Sequence, residues 1–357
     1  MTFLVPSLGA AVVAVIKAAG ALALGAGLAA RLGLGGGRRG LGVEHEWGRL
    51  REAVVGTAQG LTIPGYHQAC LYSDDPAYLE LCRRHGGRPA SEVEPELTAQ
   101  VALEMDRLAR VLVHLGVKVR RPRQLGELQR RYRSYLQPGT MLLFPRDPLL
   151  VIGGNVIETA LRLPMRAKER FALRPVVMER LQHSGMNYLS MPPAEPEYPP
   201  QGIYLEGGDV LLDGREVYVG VSGRASSPAG VEWLQRFLGP AYRVHLVELA
   251  PEVVHLDLVM ALVRPGLGVL YRPGLAGGLP GPLQDWDWLE LREEEARALA
   301  ANLLVVDRRR VILDASQQRL AAELRRRGVK VIELPFQAVA HWGGGLRCAH
   351  QPLLRRG

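Results

Sequence analysis

The chain has 357 residues, 47% hydrophobic and 22% charged, with a formal net charge of +8. That is ordinary globular material, long enough for two domains or one large repeat-built domain. The basic excess is scattered and aromatics are only 6%, so it reads as solubility and speaks against nucleic-acid binding. Three unpaired-looking cysteines, Cys70, Cys82 and Cys348, argue against a disulfide scaffold and for a reducing compartment, the cytoplasm. Cys70 and Cys82 read as structural thiols.

Residues 7–34 are apolar but rich in Ala and Gly and broken by Lys17 and Arg31. No basic region precedes Lys17, as a signal peptide requires, and a spanning helix would want a more apolar run. A membrane-associated helix, a packing extension and an upstream start codon all remain open, with the last two favoured. Gly35-Gly36-Gly37-Arg38-Arg39-Gly40 reads as the linker that ends this segment. Residues 41–357 are therefore expected to form one catalytic domain, and residues 1–40 an extension.

Beyond residue 41 one pattern recurs: strand, tight turn, strand, amphipathic helix, strand. The first unit is the loosest, with a strand at Arg51–Gly56, a long helix at Leu97–Leu115 and a strand at Val117–Arg121. The second has a hairpin at Leu149–Glu158 turning at Gly153-Gly154, a helix at Glu169–His183 and a strand near Asn187–Met191. The third turns at Asp213-Gly214 within Val210–Gly220, with a helix at Ala229–Leu238 and a strand at Tyr242–Leu249. A fourth hairpin spans Met260–Tyr271, turning at Pro265-Gly266. The fifth spans Leu303–Asp314, followed by helix Gln317–Arg327 and strand Val329–Leu334. Each unit has an apolar helix face to cover, and radial stacking of like units does so. The expected architecture is a five-bladed α/β propeller of pseudo-repeated strand–strand–helix–strand units around a central active site. A doubly wound α/β sheet is the alternative, which accommodates antiparallel hairpins poorly.

Equivalent positions of a radial repeat converge on its axis. Asp147 enters the second hairpin, Glu206 and Asp209 the third, and His255 and Asp257 the fourth; Cys348 follows the last strand. Singly, each has a bland reading as a turn former, a structural histidine or a buried thiol. As a set they match a chemistry. A thiolate is a nucleophile, and Arg347 and His350 beside Cys348 are candidates for lowering its pKa. His255 suits proton transfer, with Glu206 fixing its tautomer. Asp147 and Asp257, without a basic partner in their motifs, suit a planar guanidinium. They would also suit a metal, although no ligand spacing typical of zinc is present.

Pro145-Arg146-Asp147, Leu205-Glu206-Gly207-Gly208-Asp209, His255-Leu256-Asp257 and Gly343-Gly344-Gly345-Leu346-Arg347-Cys348 resemble, in order and spacing, the guanidino-group-modifying enzymes. These include amidinotransferases, arginine deiminases and dimethylarginine hydrolases. Val151–Pro175, Gly230–Leu234 and the Arg355-Arg356-Gly357 ending look like the amidinotransferase branch. The Glu-Gly-Gly-Asp motif is as in the hydrolases, and Leu346-Arg347 replaces the usual Phe-His before the cysteine. The resemblance implies a five-bladed propeller, Cys348 as nucleophile, His255 as acid/base, Glu206 as its partner, and Asp147 with Asp257 gripping the guanidinium. Arg146 and Asp209 are further candidates for substrate contact. So is Arg224, which lies where hydrolases bind an α-carboxylate. It implies amidino transfer from L-arginine or a related donor to an amine, or alternatively hydrolysis to citrulline, with no metal or organic cofactor. A catalytically idle binding module stays open, as does a homodimer.

Overall fold

The computed structural model describes residues 42–132, 140–182, 184–193 and 201–357. The chain divides into two units, Met1–Arg39 and Gly40–Gly357, and all described residues lie in the second. The apolar segment 7–34 and residues 194–200 fall outside them. Among the described residues no helix is long and apolar enough to cross a membrane.

Five three-stranded mixed sheets form the blades of an α/β propeller. β1 (Arg49–Val55) pairs in parallel with β2 (Lys118–Arg120) in the first blade. The second contains β3 (Leu149–Ile152), β4 (Asn155–Glu158) and β5 (Asn187–Ser190). The third contains β6 (Val210–Asp213), β7 (Glu216–Val221) and β8 (Arg243–Glu248). β9 (Met260–Arg264), β10 (Leu267–Leu270) and β11 (Asp287–Glu290) make the fourth, and β12 (Leu304–Asp307), β13 (Arg310–Asp314) and β14 (Lys330–Leu334) the fifth. In blades two to five an antiparallel hairpin is followed by a parallel third strand. Each parallel pair needs a crossover connection, which an interposed helix supplies in every blade but the fourth.

Two departures from the repeat matter. In the fourth blade the connection from β10 to β11 carries only 3₁₀ turns, Arg272–Gly274 and Gly281–Leu283, in place of an α-helix. In the first blade the antiparallel partner of β1 is the end of the chain, β15 (His350–Arg356), from Arg49↔Arg356 to Val55↔His350. That strand closes the ring. It also anchors Cys348 two residues before its start, so the nucleophile loop is held by a ladder.

Helix Pro228–Leu238 shows how sequence builds a blade. Ser227 caps it, its Oγ accepting the Gly230 N–H at 3.1 Å, and Pro228 takes the first turn, where no N–H is needed. Val231, Leu234 and Leu238 recur at helical spacing and are buried against the sheet. Gly239, at φ 69°, ends it. Apolar clusters fill the space between helices and sheets.

Candidate active site

A cavity of about 570 Å³ contains Cys348, His255 and Asp147 in its lining. These three come from different blades, as the converging repeat positions led us to expect. Asp257 lies beside the sulfur, with Oδ2 3.6 Å from Cys348 Sγ. Glu206 lies under the imidazole, its Oε2 2.9 Å from His255 Nε2.

The glycines of the Glu206–Asp209 motif exist for close approach. A Cβ on Gly207 would meet the Arg146 carbonyl oxygen at 2.0 Å, and one on Gly208 would stand 2.7 Å from His255 Nδ1. No residue with a side chain fits at either place without moving the histidine or the strand entry. The Gly208 N–H also donates to Asp147 Oδ1 at 3.1 Å, so one glycine positions two of the site's side chains.

Each aspartate, without a basic partner in its own motif, has a buried arginine from elsewhere in the chain. Arg166 Nη1 donates to Asp147 Oδ2 at 2.9 Å, and Glu169 holds the other side of that guanidinium. Arg347 Nη1 donates to Asp257 Oδ2 at 2.8 Å, and Glu46 backs it. Arg166 was missed from sequence. Two basic residues, Arg166 and Lys168, in a short turn were the available sign, but the partner of Arg166 could not be named.

Electrostatics divide the site. Burial opposes the charged imidazole of His255. The charge of Asp147 and the hydrogen bond to Glu206 outweigh it and hold the group up to about 10. Burial pushes the Cys348 thiol well above its ordinary range, and the charges of Asp257 and Asp147 add to this. The expectation of a lowered thiol pKa is therefore corrected. Arg347 spends its charge on Asp257 and Glu46. His350 turns away: its Nδ1 faces the Leu346 carbonyl oxygen at 3.0 Å and its Nε2 faces Arg146. Burial, then Arg146, drives its pKa far down.

Two further side chains emerge only from the geometry. Asn302 Nδ2 lies 3.1 Å from Cys348 Sγ, while its Oδ1 accepts the N–H groups of Gly345, Arg347 and Cys348. One amide thus shapes the nucleophile loop and touches the sulfur. Tyr72 Oη donates to Glu206, 2.9 Å from each carboxylate oxygen, and its ring meets His255 edge-on.

Glu206 and Asp257 stand behind the lining residues rather than among them, and three further sequence candidates do not line the cavity either. Arg146 points to the Arg347 carbonyl and His350. Asp209 accepts the N–H groups of Ser226 and Leu256, at 3.1 and 3.0 Å, and so ties the third blade's motif to the fourth's. Burial lifts its carboxyl to about 7. Arg224 bridges Asp74 and the Pro251 carbonyl beside the mouth.

Asp147, Glu206 and His255 offer ligand atoms within 4.8 Å of one another, a spacing that suits a metal. The chemistry suits one poorly. Glu206 is already held by Tyr72 and the Arg162 N–H, and a divalent ion would sit beside the Arg166 guanidinium.

Residues 94–355 match the family model for the eukaryotic N,N dimethylarginine dimethylhydrolase. A putative inosamine-phosphate amidinotransferase of Streptomyces griseus is 30% identical over 344 residues, covering 89% of this chain and 97% of that protein. The L-arginine:L-lysine amidinotransferase of Pseudomonas savastanoi pv. phaseolicola is 25% identical, covering 87% and 93%. The solved inosamine-phosphate amidinotransferase StrB1 of Streptomyces griseus superposes with a TM-score of 0.74 at 24% identity, over 89% of this chain and 97% of that one. The family model names a hydrolase and these relatives are transferases; they share a fold and a superfamily. With five mixed blades about one buried thiol, imidazole and aspartate set, the chain belongs to the guanidino-group-modifying enzymes, and within them to the amidinotransferase family.

Proposed function

We propose that the protein transfers the amidino group of a guanidino donor such as L-arginine to an amine, through an amidino-cysteine at Cys348. The observation that carries this reading is the thiol of Cys348, 3.6 Å from the Asp257 carboxylate, in one cavity with His255 and Asp147.

Guanidinium between Asp147 and Asp257 replaces the lost solvation of both carboxylates with charge-assisted hydrogen bonds. Its positive charge beside the sulfur offsets the carboxylates that hold the thiol neutral. The thiol proton then leaves to solvent, and the Asn302 amide and the cation stabilise the thiolate. The sulfur attacks the central carbon and forms a C–S bond. His255, already protonated, gives its proton to the departing nitrogen as the C–N bond breaks. The acceptor amine adds to the same carbon, loses a proton to the now neutral His255, and expels the Cys348 thiolate. Glu206, pinned by Tyr72, keeps the imidazole oriented throughout.

A hydrolase is the second reading, favoured by the match to the dimethylhydrolase model and by the Glu206–Asp209 motif. Isotopically labelled arginine separates the two. A labelled guanidino product with ornithine supports transfer, and citrulline supports hydrolysis. Unlabelled Cys348 after incubation, with no product, would sink both.

A further inference from the structure

Helix Tyr66–Tyr72 places Gln68 and Tyr72 four residues apart, on one face. Tyr72 reaches Glu206. One turn back, roughly 6 Å along the axis, Gln68 is 0% exposed and lines the same cavity. Neither its Oε1 nor its Nε2 has a hydrogen-bond partner. A buried amide left unpaired forfeits its hydration with nothing in return, so a ligand that hydrogen-bonds it would recover that loss. Along the helix it stands one turn from Tyr72, the residue bonded to Glu206.

Charge around the cavity says what that end carries. Among the described lining residues the guanidinium groups are Arg166 and Arg297, and both are engaged. Arg166 is held by Asp147 and Glu169, and Arg297 by Glu293 at 2.6 Å. Of the mouth's carboxylates, Asp74 is compensated by Arg224 at 2.9 Å and Glu293 by Arg297. Asp75 and Glu252 line the cavity with no ion pair among the described residues. Asp75 only caps the following helix, accepting the Ala77 N–H at 2.9 Å. A substrate carboxylate would find a neutral amide and two uncompensated negative charges; an ammonium would find acceptors.

We propose that Gln68, Asp75 and Glu252 form a subsite for a protonated amine at the far end of the substrate. The preferred guanidine is then an aminoalkylguanidine, without an α-carboxylate. The inference rests on the reading of Cys348 as the group that takes the amidino unit. Gln68 Oε1 accepts from the ammonium, and the two carboxylates supply its counter-charge.

The test compares agmatine with L-arginine, which differ only in the carboxylate, using the full-length protein. The readout is the rate at which each amidinates Cys348, followed by mass spectrometry. Agmatine is expected to react at least about tenfold faster at sub-saturating concentration, a tenfold ratio being a modest differential binding energy. Gln68→Leu should slow agmatine by about tenfold while raising the melting temperature, because an unpaired amide has gone. Gln68→Glu, which keeps the shape, should sharpen the preference. Asp75→Asn with Glu252→Gln should bring the two guanidines toward equal rates. Faster reaction with L-arginine, or a preference untouched by all of these variants, overturns the subsite and leaves the cysteine chemistry standing. Absence of an adduct with either guanidine overturns both.

Discussion

The two walls of the site are built alike and behave oppositely. On one wall Asp147 is clamped by Arg166, itself backed by Glu169. On the other Asp257 is clamped by Arg347, backed by Glu46. Each carboxylate–guanidinium–carboxylate row carries one net negative charge when ionised, and both are almost wholly buried. Beside the first sits a basic group, and the field keeps the His255 imidazole protonated. Beside the second sits an acidic group, and the field keeps the Cys348 thiol protonated. One electrostatic device therefore stores a proton on both reacting groups. Only a cation entering between the walls changes the balance at the sulfur. Glu46 also has Arg146 and Arg355 nearby, so the nucleophile's wall is the better supplied with positive charge.

Removing the sulfur breaks the comparison most completely. Cys348→Ala should lower turnover by roughly 10⁴-fold or more with a melting temperature near that of the parent, since the side chain it removes is small. Near-parental consumption of a guanidine by this variant would end the nucleophile reading. His255→Asn acts on the other wall and should cost about 10²–10⁴-fold, with adduct formation and discharge both slowed in single-turnover assays.

The rows themselves can be cut. Arg166→Met and Arg347→Met each leave buried carboxylates without their cation, and each should destabilise the fold by about 3–5 kcal/mol, read by denaturant melts. If the walls are equivalent, the two losses match. A smaller loss for Arg347→Met would show Arg146 and Arg355 supporting Glu46 on that side.

Titration sharpens the contrast further. The folded pKa of His255, about 10, lies above its ordinary value of 6.5. Its charged pairing therefore contributes stability that is full below about pH 6.5 and lost as pH rises through about 10. Stability should fall across that window, and the fall should be smaller in His255→Asn. Identical slopes would mean the imidazole is not held charged. At neutral pH, binding of a guanidinium should release a proton, seen as a buffer-dependent enthalpy in calorimetry. The smallest effect is expected for Tyr72→Phe, about threefold to tenfold on turnover. Losing the phenol leaves Glu206 more available to the imidazole, so the alkaline limb of the rate profile should move up. A merely structural tyrosine would leave that limb in place.

The blades were legible in the sequence because hairpins and helices announce themselves locally. Gly153, Gly214 and Gly266 all have positive φ, as the turns at Gly153-Gly154, Asp213-Gly214 and Pro265-Gly266 require, and the 3.6 period of helix Pro228–Leu238 is a property of eleven neighbouring residues. Repetition then implied an axis, and the axis implied that Asp147, His255 and Cys348 share a cavity. The terminal strand was not legible: His350–Arg356 reads as a tail until β1, some 300 positions earlier in the chain, is beside it. Nor was the partner of each charge. Asn302, Tyr72 and Gln68 belong to no motif, Arg166 sits unmarked within the family-like stretch Val151–Pro175, and Arg146 and Asp209 stand in motifs yet do not line the cavity. Local sequence sets the conformation of a segment and the period of its apolar face. Which buried donor meets which acceptor, and whether a thiol beside an arginine is acidic or held neutral, depends on groups that only packing brings within a few ångströms.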